Sequence, residues 1–198
     1  MASSSPRKAN PIEPELEALV EEASDPGTSW ERLWILAKHP EMQVRRALIE
    51  NPKICTSTKE VSLDTGILNF LAHEFPEDVV SSPVFVMNAL VEPDPAMEMV
   101  VCIISGKTKD SDLLKFFYEN YKESYSVSMA VAGNHHTPIP LLVLMSDPEF
   151  EPRAVVRSML LDNKSFPEDV MDVMSADDPD HMIRDAAYEK LLELKQRS

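Results

Sequence analysis

Residues Asn134–Asn163 read NHHTPIPLLVLMSDPEFEPRAVVRSMLLDN, and this run contains one full period of a helical repeat. Its last octet, VRSMLLDN, begins at Val156, and the octet VSMAVAGN, which begins at Val127, has the same apolar spacing. A third octet of this kind, VRRALIEN, begins at Val44. Each octet places apolar residues at i, i+3 and i+4, which lie on one face of an α-helix, and each ends in Asn. The octets therefore predict the first helices of three helical pairs.

Proline and asparagine mark the ends of these predicted helices. A proline follows each octet, and a helix has to end before it because proline lacks the backbone N–H and clashes with the preceding turn. Because Asn tolerates the left-handed conformation, we expect the terminal Asn of each octet to cap a helix C-terminus in that conformation. The pairs Asp147–Pro148 and Asp178–Pro179 suit helix entrances, where Asp accepts hydrogen bonds from unpaired N–H groups.

Weaker copies of the apolar triad extend the repeat along the chain. Together with the octets, the triads start at Leu16, Val44, Ile67, Met99, Val127, Val156 and Ile183. A second apolar cluster follows most starts, and one helical pair cannot bury its apolar face alone, whereas stacked pairs share a core. We therefore predict an all-α fold, a right-handed α-solenoid of about seven helical pairs of about 28 residues each. The alternative is an irregular helical bundle in which the period arises by chance.

The solenoid is predicted to form a single domain over residues 12–198, after a disordered tail over residues 1–11. That tail carries basic residues but no apolar segment of the kind found in signal peptides. No apolar run approaches the length needed to span a bilayer, so we predict a cytoplasmic location. Cys55 and Cys102 are isolated in the sequence, which predicts two reduced thiols.

The charge of the chain excludes several classes of partner. Acidic residues outnumber basic ones 34 to 19, which gives a formal net charge of −15 at pH 7. Broad nucleic-acid binding requires Lys and Arg to neutralise phosphates, and anionic membrane surfaces attract basic segments. We therefore expect neither a nucleic acid nor a membrane as partner.

The quoted run resembles the leucine-rich repeat variant family, whose repeat contains Asp-Pro, a spacer, Val-Arg with small apolar residues, Asn, Thr-Pro and Leu-Leu. The matching residues are Asn134, Thr137, Pro138, Leu141, Leu142, Asp147, Pro148, Val156, Arg157 and Asn163. The resemblance covers residues 125–190 and returns at 39–52. It implies an α-solenoid, similar in logic to HEAT and armadillo arrays, in which an α-helix alternates with a shorter 3₁₀ helix. It also implies an interaction scaffold. The cysteine-rich segment that carries an iron–sulfur cluster in a relative has no counterpart here, so we expect no cofactor.

Five polar side chains are candidates for partner binding, namely Arg45, Arg157, Arg184, Asn134 and His135. The three arginines share one position in their repeats. They form either a basic stripe that recognises an acidic partner or an internal ladder of ion pairs with acidic residues near the preceding joints. The Asn side chains either line a groove or cap helices. The adjacent histidines, His135 and His136, either offer metal ligands or make hydrogen bonds within a turn, and we predict no bound metal.

The sequence favours an interaction protein over an enzyme. It contains no G-x-S-x-G, H-E-x-x-H, Walker A or G-x-G-x-x-G motif. We predict a non-catalytic scaffold or adaptor that binds a protein or peptide on the concave face of the solenoid. One alternative is an acidic inhibitor or nucleic-acid mimic that binds a basic protein. A DNA-acting solenoid enzyme is a weaker alternative, because it requires a basic channel.

Overall fold

The computed structural model describes residues 12–55, 64–91 and 97–197, and every regular element within these residues is a helix. This confirms the predicted all-α class. The tail predicted over residues 1–11 lies outside the described residues. The helices are α1 (Ile12–Ser24), α2 (Trp30–Ala37), α3 (Met42–Ile49), α4 (Pro52–Cys55), α5 (Asp64–Glu74), α6 (Pro76–Val80), α7 (Pro83–Phe85), a π-helical segment (Val86–Val91), α8 (Glu98–Lys107), α9 (Ser111–Asn120), α10 (Tyr125–Gly133), α11 (Ile139–Ser146), α12 (Ala154–Leu160), α13 (Glu168–Asp177) and α14 (His181–Arg197).

The chain divides into two compact units, residues 1–87 and 88–198, and the single domain over 12–198 stays a prediction. In the first unit, α3 packs against both α1 and α6, whereas α2 packs against α5. Ile67, the predicted start of the third pair, lies in α5, which packs beside α2. A first helix of a pair was instead expected to continue the row of first helices formed by α1 and α3. The assignment of α5 as the first helix of the third pair is wrong, because an apolar triad marks the buried face of a helix without specifying which other helices pack against that face.

The second unit follows the predicted register more closely. Helices α8, α10, α12 and α14 pack in that order, and α11 packs against α13. Val127 in α10 and Val156 in α12 are fully buried, as their triads predicted. The 3₁₀ geometry implied for the second helices is wrong for α11 and α13, which are α-helices of eight and ten residues. Such lengths favour the α form because 3₁₀ segments longer than three or four residues are uncommon.

Asparagine side chains join the ends of helices that are about 30 residues apart in the chain, in a geometry different from the expected one. Asn134 has φ −77° and ψ 119°, which is extended, so the left-handed cap predicted there is wrong. Its Nδ2 donates to the carbonyls of Ser105 (2.8 Å) and Thr108 (2.9 Å), at the end of the preceding first helix. Asn163 donates in the same way to Ala132 and Asn134. These amides supply donors to carbonyls that a helix C-terminus leaves unpaired.

Candidate functional site

The guanidinium of Arg157 is buried in an ion pair and is not displayed to solvent. Its Nε lies 2.9 Å from Asp178 Oδ2 and its Nη2 lies 2.9 Å from Oδ1, so the pair is bidentate. Its Nη1 donates to the carbonyl of Glu151 at 2.8 Å, and the whole residue is 1% exposed. The side chain therefore links the turn before α12 to the turn before α14.

Arg45 makes the same kind of link in the first unit. Its Nε donates to Asp78 Oδ2 at 2.7 Å, and its Nη1 donates to the carbonyls of His39 and Pro40. The guanidinium carbon lies 3.9 Å from the centre of the Phe75 ring, which adds a cation–π contact. Like Arg157, Arg45 is buried.

Arg184 repeats only half of this arrangement. Its Nη1 donates to the carbonyls of Asp178 and Pro179, and the side chain is half-buried. Arg45 and Arg157 thus form the internal ion pairs of the second interpretation, although each pairs with an acid later in the chain rather than near the preceding joint. Arg184 donates to backbone carbonyls and forms no ion pair within the described residues. Partner binding by these arginines stays a prediction, and Arg184 is the most exposed of the three.

Asn134 and His135 are adjacent in the sequence but differ in their exposure to solvent. Asn134 is buried by the hydrogen bonds described above, whereas His135 is exposed. The rings of His135 and His136 are 4.2 Å apart, and the His135 carbonyl accepts a hydrogen bond from Ser165 Oγ at 2.6 Å. In the part of the chain that the structure describes, no group of three His, Cys, Asp or Glu side chains is placed to hold a metal ion.

The structure also shows a polar cluster that the sequence analysis missed. Glu151 accepts hydrogen bonds from Tyr118 Oη at 2.8 Å and from Arg153 Nε and Nη2 at 2.6 Å each. Burial opposes ionisation of Glu151, but the hydrogen bonds from Arg153 and Tyr118 outweigh it and lower the pKa of this carboxyl. Burial, together with the Glu151 carboxylate, raises the pKa of Tyr118. The cluster ties α9 to the α11–α12 turn.

Ser128 is the sequence signal that points to this cluster. It occupies the position that Arg45 and Arg157 hold in their repeats, and its hydroxyl donates to the carbonyl six residues earlier, at Lys122. Arg153 Nη2 donates to Ser128 Oγ at 2.9 Å and so supplies the missing guanidinium from another position. Arg153 therefore brings a guanidinium to the position of α10 that corresponds to Arg157 of α12.

A groove between α11 and α13 is the candidate functional site. It has a volume of about 470 Å³. Its apolar lining consists of Val143, Pro148, Val170, Val173 and Met174. Its acidic lining consists of Asp147, Asp169, Asp177 and Asp178, and Ser146 completes it. No Lys or Arg side chain lines the groove.

The apolar lining is well exposed where the two helices face the groove. Val173 is 59% exposed and Val143 is 40% exposed, although the same helices bury other apolar side chains, such as Met174 and Met145. Apolar surface in a concave site between helices is the usual composition of a binding site for a ligand or a partner. The groove is therefore suited to bind an apolar side chain.

The charge of the groove is strongly negative. Asp178 is neutralised by Arg157, but Asp169 and Asp177 form no ion pair within the described ranges. Asp147 is exposed and uses one oxygen to accept the backbone N–H of Glu149 at 2.9 Å. The C-termini of α11 and α13 end at this groove, and each contributes the partial negative charge of a helix dipole. A cationic group is therefore attracted to it.

A second groove, in the first unit, has similar chemistry. It lies between α1 and α3, has a volume of about 570 Å³ and is lined by Leu16, Val20, Glu17, Glu21 and Gln43. It also combines apolar side chains with carboxylates and has no basic lining residue. The pairing of apolar surface with negative charge is thus found in both units.

The sequence analysis missed the α11–α13 groove because its valines stand inside apolar runs. Val143 lies in the run LLVLM, and Val173 belongs to the second apolar cluster of its pair, which is typical of a buried helix face. The available signal was the composition of α11, IPLLVLMS, which is apolar on every face. A short helix that packs on one side leaves part of such surface exposed.

Comparisons with known proteins do not assign a function to this chain. No protein-family model, no curated protein and no solved structure matches this chain. Within the ranges that the structure covers, no helix has both the length and the apolar character needed to cross a bilayer. Function is therefore inferred from the contacts, burial and charge of the residues described above.

Proposed function

We propose that the protein is a cytoplasmic, non-catalytic interaction scaffold of the α-solenoid type that binds a protein or peptide partner on its concave face. The proposal includes a right-handed superhelix of about seven helical pairs with the repeat of the leucine-rich repeat variant family. The ordered packing of α8, α10, α12 and α14 supports it, as do the side chains of Asn134 and Asn163, which link α10 to α8 and α12 to α10.

The α11–α13 groove is the single observation that carries this proposal. Val143 and Val173 expose apolar surface to water, and transferring such surface out of water is favourable by about 25 cal/mol for each Å², which offsets part of the entropic cost of association. Neighbouring repeats use the buried Arg and Asn side chains to hold the array together. Val143 and Val173 are not needed for those contacts and face solvent.

The second candidate is an acidic inhibitor or nucleic-acid mimic that binds a basic protein. The carboxylates of the groove and the net charge of −15 favour it. The two candidates differ in what holds the partner. A mimic binds through charge alone and is released by salt, whereas a scaffold with an apolar groove keeps part of its affinity at high ionic strength.

Site-specific photocrosslinking tests the scaffold. The photoreactive residue p-benzoylphenylalanine is placed at position 173 or 143 in the groove and, as a matched control, at position 155, where Val155 on α12 is 51% exposed. We expect one protein from an extract of the source organism to crosslink at both groove positions, at low and at high salt, but not at 155. Equal crosslinking at all three positions contradicts a groove-bound partner, and crosslinking only at low salt favours the mimic.

A further inference from the structure

We propose, on the basis of the scaffold function above, that the α11–α13 groove binds a short basic amphipathic helix of the partner protein. The apolar side of that helix contacts Val143 and Val173, and its Lys or Arg side chains pair with Asp169 and Asp177. Three properties of the groove support this occupant: its apolar floor, the position of its carboxylates, and its lack of hydrogen-bond donors.

The floor and the carboxylates have the arrangement that an amphipathic helix requires. Val173 lies on α13 between Asp169, four residues before it, and Asp177, four residues after it. Residues four apart share one face of a helix, so one apolar side chain is flanked by two carboxylates along the same face. A partner helix with an apolar residue between two basic ones, spaced in the same way, is complementary to this face.

The lack of donors favours a helix over an extended peptide. The polar groups of the lining are carboxylates, which only accept hydrogen bonds, and the hydroxyl of Ser146, which donates to the carbonyl of Val143 at 2.7 Å. The carbonyls of an extended peptide find no free donor on this lining and lose their hydrogen bonds to water when buried. A helix satisfies its own backbone groups and brings only side chains to the groove.

The length of α13 limits the size of the contact. Its ten residues extend for about 15 Å, which matches two to three turns of a partner helix. A segment of this length offers apolar anchors at i, i+3 or i+4, and i+7. The probe is therefore a labelled peptide of about 14 residues, with Leu at these anchors and Lys at the other positions.

Fluorescence anisotropy with purified full-length protein tests the proposal. A second peptide replaces each Lys by Glu, and a third replaces each Leu by Ser while keeping all the lysines. The groove variants are Val173→Ser and the double variant Asp169→Asn with Asp177→Asn. The matched controls are Val155→Ser on α12 and Asp185→Asn on α14, which change exposed residues outside the groove.

We expect the Leu/Lys peptide to bind the wild-type protein and the other two peptides to bind at least about tenfold more weakly. Val173→Ser is expected to weaken binding about tenfold, and the double Asp variant about fivefold at low salt, with a smaller effect in about 500 mM NaCl. Both controls are expected to stay within about twofold of wild type. Because Val173 and Asp169 are exposed, these variants are expected to keep the wild-type helical content by circular dichroism.

Equal weakening by Val173→Ser and Val155→Ser overturns the proposal, because a highly acidic protein then binds the peptide through charge alone. Failure of the Leu/Lys peptide to bind also overturns it. The crosslinking experiment separates this failure from that of the scaffold. A partner captured at 143 and 173 together with a silent peptide contradicts only the basic helix, whereas selective peptide binding without a crosslinked partner contradicts the scaffold and supports the chemistry of the groove.

Discussion

Removing the amide of Asn163 is expected to destabilise the second unit strongly, because this side chain joins two repeats. Its Nδ2 donates to the carbonyls of Ala132 at 2.7 Å and Asn134 at 2.9 Å, and its Oδ1 accepts the N–H of Ser165 at 2.9 Å. Each such hydrogen bond contributes about 1 kcal/mol net, and a buried carbonyl left without a donor costs more. Asn163→Ala is therefore expected to lower the free energy of unfolding by about 3–4 kcal/mol.

Asn163→Asp separates the hydrogen bonds from the packing, because it preserves the shape of the side chain. It keeps the acceptor toward Ser165 but places a carboxylate oxygen opposite the carbonyls of Ala132 and Asn134. We expect this variant to be at least as unstable as Asn163→Ala near pH 7. The carbonyl oxygens and burial raise the pKa of the introduced carboxyl, so the folded state binds its proton first. The variant is therefore expected to recover part of its stability relative to wild type as the pH falls toward about 4.

Urea unfolding followed by far-UV circular dichroism measures both effects. A loss of 3 kcal/mol moves the midpoint by about 1–3 M urea for an m value of about 1–3 kcal/mol/M. The matched control is Asn120→Ala, because Asn120 is exposed in the same unit and donates one hydrogen bond, to the Phe116 carbonyl at 2.9 Å. If Asn163→Ala costs no more than Asn120→Ala, the hydrogen bonds from Asn163 to Ala132 and Asn134 do not stabilise the fold.

Three further predictions concern the buried polar groups. Arg157→Ala leaves the Asp178 carboxylate buried without its partner and is expected to cost about 3–5 kcal/mol, whereas Arg184→Ala is expected to cost about 1 kcal/mol or less in the same urea titration. The pKa of Glu151 is lowered in the folded state, so the unfolded state binds its proton first. Wild-type stability is therefore expected to fall as the pH drops below about 4.5, and Glu151→Gln should flatten the pH–stability curve below that pH. The pKa of Tyr118 is raised, so stability is expected to fall as the pH rises above about 10, and Tyr118→Phe should remove that contribution when unfolding is measured at alkaline pH.

The helices of the second unit were predictable because their apolar spacing is strict. The triads that begin at Val127 and Val156 bury their i and i+4 residues, Val131 and Leu160 among them, on one helix face. The following prolines, Pro138 and Pro167, stand at the start of the next helix. The same triad at Ile67 predicted a helix correctly but assigned it to the wrong row. Periodicity identifies which face of a helix is buried, whereas the row depends on contacts with helices that are distant in sequence.

The polar ladders were only partly predictable for a related reason. The Asn positions were recognised as capping positions. The side-chain amide of Asn163, however, donates to carbonyls 29 and 31 residues earlier in the chain, and the sequence around a helix end does not indicate such distant acceptors. Arg45 pairs with an acid 33 residues later, whereas Arg157 pairs with one 21 residues later. Because these separations differ, no fixed spacing in the sequence indicates the partner.

The positions that repeat and the positions that bind are therefore expected to be different. Arg157 and Asn163 match Arg45 and Asn51 at the same positions of the octets, and both side chains form buried hydrogen bonds that join one helix to another. The guanidinium groups of Arg45 and Arg157 are buried in ion pairs, whereas Asp169 and Asp177 in the groove form no ion pair among the residues described. A partner that approaches this surface contacts carboxylates and exposed valine side chains rather than the buried arginines. The proposed specificity for a basic amphipathic helix is therefore assigned to the groove and not to the arginine and asparagine positions of the octets.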